Sequence, residues 1–264
     1  MLEIKNVTKT FNVGTVNEKT VLSGVNLKLE EGDFVTVIGG NGAGKSTILN
    51  MVAGVYPVDE GSIIIDGNDV TKLPEHKRAA FIGRVFQDPR MGTASDMWVE
   101  ENMSIADSRG HRRGVRWAIT SRDRERYREQ LKLLDLGLDS RMTTKMGLLS
   151  GGQRQAITLL MATMKRPKLL LLDEHTAALD PKTASKVLEI TDRLVKENNL
   201  TALMVTHNMK DAIAYGNRLI MMNAGKIILD VKGEEKKNLT IEALLDMFTK
   251  ASGAEFASDR ALLG

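Results

Sequence analysis

A glycine-rich segment near the start of this chain constrains its fold more than any other feature. The segment reads Gly39-Gly40-Asn41-Gly42-Ala43-Gly44-Lys45-Ser46 and fits the pattern G-x-x-x-x-G-K-[ST]. An apolar run at 34–38 precedes it, and a helical pattern at 46–53, ended by Gly54, follows it. In this context backbone amides turn inward around phosphate oxygens, and the helix N-terminus adds positive charge. The segment therefore predicts a nucleotide-phosphate site, with Lys45 on the β- and γ-phosphates and Ser46 on Mg²⁺.

The remaining pattern predicts an α/β fold. Near-continuous apolar runs at 34–38, 169–172 and 203–205 are typical of central parallel strands that are covered on both faces. Helical patterns at 46–53 and 182–197 follow the first two runs. This alternation of strand and helix predicts that ligands bind at the carboxyl ends of the strands.

The two ends of the chain add antiparallel structure. Alternating apolar residues at 2–7 and 25–29 indicate half-buried antiparallel strands. Near the C-terminus, residues 219–222 turn through Asn223-Ala224-Gly225 into 227–229, which predicts a hairpin. A final amphipathic helix then carries an apolar stripe, for which core packing is favoured over docking. The stripe consists of Ile241, Leu244, Leu245 and Phe248.

The middle of the chain, residues 88–148, lacks a clear strand and is predicted to form an inserted helical subdomain. Its arginines are Arg109, Arg112, Arg113, Arg116, Arg122, Arg124, Arg126 and Arg128. Acidic residues lie among them, so a solvated charged face is the favoured interpretation. A contact with lipid headgroups or with a partner is the alternative.

Composition and charge exclude several classes of protein. A net charge of +3 does not support a nucleic-acid partner, and the absence of cysteine excludes disulfides and thiol chemistry. The first residues carry charges where a signal peptide needs an apolar run. The longest uncharged stretch, 46–58, has 13 residues, whereas a membrane-spanning helix needs about 20. We therefore expect no signal peptide and no transmembrane segment, and we expect any membrane role to depend on another subunit.

A second chemical motif ends the apolar run at 169–172. Asp173 suits a direct or outer-shell role on Mg²⁺, and Glu174 suits the polarisation of an attacking water. Many strands end in acidic residues at the surface, so the pair gains its meaning from the glycine-rich segment.

Five motifs in a fixed order resemble those of the ATP-binding-cassette (ABC) ATPases. After the glycine-rich segment come Leu149-Ser150-Gly151-Gly152-Gln153, Asp173-Glu174, Ala178-Leu179-Asp180 and His207. The resemblance covers roughly residues 2–229. It implies a P-loop NTPase core with a mostly parallel central sheet, an N-terminal antiparallel β subdomain and an inserted α-helical subdomain.

The resemblance also implies how the chain divides. One ABC ATPase domain would span 1–264. Its RecA-like core with the antiparallel β subdomain would occupy 1–87 and 155–230. The helical subdomain, with the signature motif 149–153, would occupy about 88–154, and a C-terminal helical tail would occupy 231–264.

A role for each matched residue follows from the resemblance. Catalysis is implied for Glu174, His207, Gln87 and Lys45, and Mg²⁺ contacts are implied for Ser46, Gln87 and Asp173. ATP contacts are implied for Phe11, Gly39, Gly40, Asn41, Gly42, Ala43, Gly44, Lys45, Ser46, Thr47, Ser150, Gly151, Gly152, Gln153 and Asp180. The resemblance implies that the signature motif contacts the γ-phosphate held by a second copy of the chain. The residue types fit this role, since Ser150 offers a hydroxyl and the glycines offer unhindered amides.

Three positions carry weaker expectations. Phe11 is the best candidate for stacking on adenine, with a surface aromatic in a loop as the alternative, and Val16 is a second candidate for contact with the base. His175 stands where most members of the family have proline. It adds a group that titrates near neutrality, although a tolerated variant is the favoured interpretation.

ATP and Mg²⁺ are the implied cofactors, and the implied partners make the chain one part of a transporter. They are a second protomer in a head-to-tail homodimer, a separate membrane permease and an extracytoplasmic substrate-binding protein, with no nucleic acid. ATP-driven closure and opening of the dimer on the cytoplasmic face of the membrane would power a small-solute importer, with amino-acid-like cargo as the leading case. A groove for the permease would contain Met91, Met97, Trp98 and Met103, for which core packing is the equal alternative. A soluble ABC ATPase that serves a protein assembly, such as iron–sulfur cluster assembly, is the alternative function.

Overall fold

Two β-sheets form the centre of the protein, whose computed structural model describes residues 1–110 and 119–252. The strands are β1 Leu2–Phe11, β2 Lys19–Leu29, β3 Phe34–Ile38, β4 Glu60–Ile65, β5 Asn68–Asp69, β6 Ile82–Val85, β7 Leu169–Asp173, β8 Thr201–Val205, β9 Arg218–Asn223 and β10 Lys226–Lys232. One sheet has the order β2-β1-β4-β5 and is antiparallel throughout. The other has the order β10-β9-β3-β8-β7-β6 and is parallel except for the β9–β10 hairpin. The predicted fold class is therefore confirmed.

Helices cover the parallel sheet and connect its strands. They are α1 Lys45–Ala53, α2 Glu75–Arg78, α3 Val99–Asp107, α4 Ser121–Lys132, α5 Gly151–Thr163, α6 Pro181–Glu197, α7 Met209–Ala214, α8 Glu234–Lys237 and α9 Ile241–Ser252. The strand–helix order β3–α1 and β7–α6 confirms the alternation that the sequence predicts. Within residues 1–110 and 119–252, no helix combines the length and the apolar character that a bilayer crossing requires.

Strand β7 shows why the central apolar runs do not alternate with polar residues. Leu169 and Leu171 pack in a core shared with β1, β2 and α1, whereas Leu170 and Leu172 pack on the opposite face with α5 and α6. All four side chains are fully buried. A strand that is covered on both faces needs apolar residues at every position, which explains the run of leucines.

The register of the parallel sheet gathers the predicted site at one edge. Val85 is opposite Leu172, Asp173 is opposite Val205, and Val205 is opposite Val37. The carboxyl ends of β3, β6, β7 and β8 therefore meet. The segments that leave these ends carry the glycine-rich loop, Gln87, Glu174 and His207.

Helices α3 and α4 lie in the middle segment, in which no strand occurs between residues 88–110 or 119–148. Several of their charged side chains form ion pairs. Arg124 binds both oxygens of the buried Glu100 at 2.7 and 2.8 Å, and Arg126 pairs with Asp107 and Asp123. The predicted charged face is thus partly an ion-pair network that joins α4 to α3. Arg112, Arg113 and Arg116 lie outside the described residues.

The C-terminal helix packs as the sequence predicts. Leu244 and Phe248 of α9 are buried in one cluster with Leu219 and Met221 of β9 and Ala212 of α7. The apolar stripe of α9 therefore serves the core, and the alternative of a docking face is wrong for its buried residues.

Candidate active site

The glycine-rich loop between β3 and α1 has a backbone that only glycine fits at two positions. Gly39 has a φ of +152°, and a Cβ there would lie 2.2 Å from the Met222 carbonyl oxygen. Gly44 has a φ of +102°, and a Cβ there would lie 2.6 Å from Leu22 Cδ2. The loop is thus seated between β2 and β9. Because α1 begins without a side-chain cap, its first amides can serve an anion.

Lys45 lies over this loop and is almost fully buried. Its Nζ donates to the carbonyl oxygens of Gly39 at 2.7 Å and Gly40 at 3.1 Å. Burial lowers the pKa of the Lys45 ammonium, and the carboxylates of Glu174 and Asp173 act in the opposite direction. A cation is therefore held against the glycine-rich loop, next to the exposed Asn41 and the half-buried Thr47.

Ser46 and Asp173 bring two hard oxygen donors together. The Ser46 hydroxyl donates to Asp173 Oδ1 at 3.3 Å. Burial raises the pKa of Asp173, whereas the guanidinium of Arg84, 3.8 Å from Oδ2, lowers it. Arg84 also donates to Asn50 Oδ1 at 2.6 Å and lies over the Phe86 ring. Asp173 is thus oriented from both sides, by a hydroxyl and by a cation.

Glu174 adopts a backbone conformation that is uncommon for a residue with a side chain. Its φ is +43°, in the left-handed region, and its N–H donates to the Val205 carbonyl at 3.0 Å. Glu174 Oε2 lies 3.6 Å from Nδ1 of the exposed His207. Such backbone outliers concentrate at functional sites, because the surrounding structure must hold them in place.

A cleft of about 730 Å³ opens beside these residues at the same sheet edge. Gln87, which is exposed, lines this cleft together with Arg84, Asp173, Met91 and Ala178. The structure therefore brings the predicted Gln87 and Asp173 to one cavity.

The motif 149–153 forms the N-terminus of α5. Ser150 Oγ accepts from the Gln153 N–H, and Gln153 Oε1 accepts from the Ser150 N–H, both at 3.3 Å. This reciprocal pair is a capping box, and it leaves Ser150 and Gly151 exposed to solvent. A Cβ on Gly152 would lie 1.9 Å from Thr183 Cγ2, so α5 sits directly on the start of α6. Asp180 caps α6 by accepting from the Thr183 N–H at 3.1 Å.

Comparison with known proteins gives this geometry a family. A family model described as ABC transporter matches residues 22–177. The chain is 44% identical over 251 residues to a tyrosine transport ATP-binding protein of Clostridioides difficile (strain R20291), covering 95% of this chain and 100% of that protein. It is 33% identical over 241 residues to the phosphonates import ATP-binding protein PhnC of Lactobacillus delbrueckii subsp. bulgaricus, covering 89% and 91%.

A solved structure agrees with these relatives. A dimeric ATP-binding cassette in a post-hydrolysis state, bound to ADP and Pi, matches with a TM-score of 0.75 at 32% identity, covering 88% of this chain and 98% of that chain. The chain belongs to the ABC transporter family. It is an ATP-binding transporter subunit that hydrolyses ATP.

Two side chains of this ABC ATPase that sequence reasoning linked to adenine lie at the end of β1 and in the loop after it. Phe11 is half-buried and packs edge-on against Tyr56, with ring centroids 5.2 Å apart. Val16 is fully exposed. Adenine stacking on Phe11 stays a prediction. Tyr56, which the sequence did not indicate, packs against the Phe11 ring.

His175 is buried in the ATPase, and this corrects the view of it as a group that titrates near neutrality. Its Nε2 lies 3.0 Å from Thr191 Oγ1, and burial lowers the pKa of the imidazole to about 4. The ring is therefore neutral at physiological pH and joins the segment after Glu174 to α6.

The four residues proposed for a permease groove do not act as a set. Met103 is fully buried in the core, so its assignment to a groove is wrong. Met91 lines the cleft beside Gln87, Trp98 is exposed, and Met97 is half-buried.

Proposed function

We propose that this ATPase powers an importer for small solutes, with tyrosine-like amino acids as the leading cargo. The 44% identity over the full length of a tyrosine transport ATP-binding protein is the observation that carries this proposal. The word "import" in the name of the phosphonates relative supports the direction. The chain would bind a separate permease at the cytoplasmic face of the membrane, and an extracytoplasmic substrate-binding protein would deliver the cargo.

The residues at the sheet edge fit ATP with Mg²⁺. The Ser46 hydroxyl and the Asp173 carboxylate face each other at 3.3 Å, and both are hard oxygen donors. In residues 1–110 and 119–252, no three His, Cys, Asp or Glu side chains form a metal cluster. This suits Mg²⁺, which is usually held by one or two protein oxygens together with substrate phosphates and water. When bound, the ion would neutralise charge that develops on the phosphates.

The proposed chemistry is positioning with charge stabilisation. Lys45 and the loop amides would hold the β- and γ-phosphates, and Gln87 would orient the attacking water. Glu174 would accept a proton from that water as the water oxygen bonds to the γ-phosphorus and the bond between this phosphorus and the ADP oxygen breaks. His207, 3.6 Å from Glu174, would contact the γ-phosphate.

A second protomer is needed to complete the proposed site. The signature end of α5 is exposed and lies on α6, whereas the glycine-rich loop is seated between β2 and β9. An amide-rich helix N-terminus that faces outward suits the γ-phosphate held by another copy. The dimeric form of the matched cassette supports this arrangement. Closure would then depend on the γ-phosphate, and hydrolysis would release it.

The named relatives are transport proteins, which favours the transporter over the assembly alternative. Uptake of labelled tyrosine by cells that lack the gene, with and without the wild-type chain, tests the cargo. We expect uptake to return with the wild-type chain and not with Lys45→Ala. Restored uptake of another solute alone would overturn tyrosine as cargo, and copurification only with soluble partners would overturn the transporter.

A substitution at the proposed base tests the chemistry. We expect Glu174→Gln to reduce ATP turnover by about a hundredfold or more, in the range known for the loss of a general base. The variant should still bind ATP and accumulate as an ATP-bound dimer, because the phosphate contacts remain. Steady-state hydrolysis and size-exclusion chromatography with ATP measure the two effects. Normal turnover would remove Glu174 from its role.

A further inference from the structure

Gln155 joins the signature helix to both segments that carry the proposed hydrolytic groups. It is fully buried on α5, one helical turn after Gly151. Its Nε2 donates to the Phe86 carbonyl at 2.9 Å and to the His175 carbonyl at 2.7 Å. Phe86 immediately precedes Gln87, and His175 immediately follows Glu174.

The two acceptors fix the orientation of this side chain. Both are carbonyl oxygens, so only the amide nitrogen, with its two hydrogens, can lie between them. The amide oxygen, Gln155 Oε1, is buried and has no hydrogen-bond partner in the described structure. A buried acceptor without a partner costs stability. Gln155 is therefore poorly explained as a residue that only stabilises the fold.

The segment after Glu174 is held on its other side as well. The His175 imidazole bonds to Thr191 of α6 at 3.0 Å, and Thr191 in turn donates to the Val187 carbonyl. The backbone of His175 is thus fixed by α5 through its carbonyl and by α6 through its side chain. The segment before Gln87 is also bonded to α5, because the Phe86 carbonyl accepts from the same Gln155 side chain.

We infer that Gln155 is a positioning residue, which sets Gln87 and Glu174 relative to the signature motif on the same chain. The inference rests on the roles proposed above for those two residues. Gln155 touches no reacting atom in this arrangement. It acts by holding the two backbones at one separation, and displacements of about 1 Å at a catalytic group can cost about a hundredfold in rate.

Substitution of Gln155 tests the inference. Gln155→Glu keeps the shape but replaces both donor hydrogens with an acceptor, and Gln155→Met keeps the length without any polar atom. We expect both to lower kcat roughly tenfold to a hundredfold, with the KM for ATP changed less than about twofold, because the contacts of the glycine-rich loop are untouched.

Thr158→Val provides the matched control. Thr158 is also buried on α5, but its hydroxyl donates within the helix, to the Arg154 carbonyl at 2.9 Å, and makes no other hydrogen bond in the part of the chain that the structure describes. We expect the control to keep kcat within about twofold of wild type. Thermal unfolding of all three variants separates loss of fold from loss of position, and Gln155→Met is the variant expected to keep its fold.

A double substitution distinguishes positioning from general damage. If Gln155 acts through Gln87, Gln155→Met should lower kcat much less in a Gln87→Ala background than in wild type. Equal losses in the two backgrounds, or a kcat within about twofold of wild type in both Gln155 variants, would overturn the inference. Glu174→Gln serves as the reference. Normal turnover in Glu174→Gln would instead contradict the proposed function itself.

Discussion

At the scale of single residues, this ATPase has a buried histidine, His175, after Glu174, where most members of the family have proline. Proline at this position would fix the backbone through its ring. Here the same segment is fixed by a hydrogen bond from the side chain to Thr191. A histidine in place of proline makes the stability of this segment depend on pH, because burial disfavours the charged imidazolium in the folded protein.

Acid should therefore destabilise the ATPase through His175. The folded pKa is about 4 and the unfolded value is about 6.5, so the unfolded chain binds a proton between these values that the folded chain does not. Stability is retained above this window and lost as the pH falls through it, by about 2 kcal/mol between about pH 7 and pH 5. Urea unfolding at both pH values measures the loss. The His175→Asn variant should lack this component, and an equal loss in both proteins would contradict the assignment.

Gly152 permits the contact between α5 and α6. A methyl group there would overlap Thr183 Cγ2 at 1.9 Å, so Gly152→Ala should destabilise the protein by about 1–3 kcal/mol. Thr183→Ser removes the overlapping methyl group and keeps the backbone N–H that Asp180 caps. The double variant should therefore recover most of the lost melting temperature. If the melting temperature did not recover, the destabilisation by Gly152→Ala would not arise from the overlap with Thr183.

At the scale of elements, α7 is short and depends on a side chain from a later helix. Nζ of the buried Lys236 in α8 donates to the carbonyls of Ile213, Tyr215 and Gly216 at 2.6–3.0 Å. Asn208 caps the other end of α7, directly after His207. The position of His207 is thus tied to a helix whose two ends are both satisfied by side chains.

Removal of this C-terminal cap should loosen α7. We expect Lys236→Met to cost about 1–3 kcal/mol, because three partly buried carbonyls lose their donor. Lys237→Met is the matched control, since Lys237 is exposed and, among the described residues, its ammonium pairs with Glu234 alone. Chemical unfolding compares the two variants. Equal stability of both would show that the three hydrogen bonds contribute little.

The hydrophobic pattern of the sequence was sufficient to predict the strands in which nearly every residue is apolar. Strands β3, β7 and β8 are predominantly apolar because both faces are buried, and this pattern is visible in the sequence. Strand β6 was not predicted, because Arg84 interrupts it. The Arg84 guanidinium lies 3.8 Å from carboxylate oxygens of both Asp173 and Glu75 and donates a hydrogen bond to Asn50, contacts that the sequence pattern does not reveal.

The predicted site residues came together where the motif fixes local geometry, at the glycine-rich loop and the ends of β6, β7 and β8. Gln155 gave no signal, since a single glutamine in a helix has no pattern. Its acceptors are backbone carbonyls 69 and 20 residues away. Only the packed structure defines such contacts.

At the scale of the whole molecule, the proposed site is divided between two copies, and mixing experiments test this division. Lys45→Ala should disable the glycine-rich loop, and Ser150→Arg should block the signature. A dimer of one of each retains one composite site with both halves intact. Random mixing with independent sites should restore roughly a quarter of the wild-type rate. Hydrolysis and ATP-dependent pairing are both measured, and absence of both in the mixture would contradict the divided site.

The attachment of Gln155 to both segments has a thermodynamic consequence for such a pair. In the proposed dimer, the signature of one chain serves its partner's ATP, whereas Glu174 of that chain serves its own. Because Gln155 joins the signature motif to the segment that carries Glu174, it couples ATP binding at one site of the dimer to ATP binding at the other. By reciprocity, if the first nucleotide changes the affinity for the second by some factor, the second must change the affinity for the first by the same factor. Weakening this one attachment should therefore make the two binding steps more nearly independent, a change that an ATP titration would detect as a shift in cooperativity.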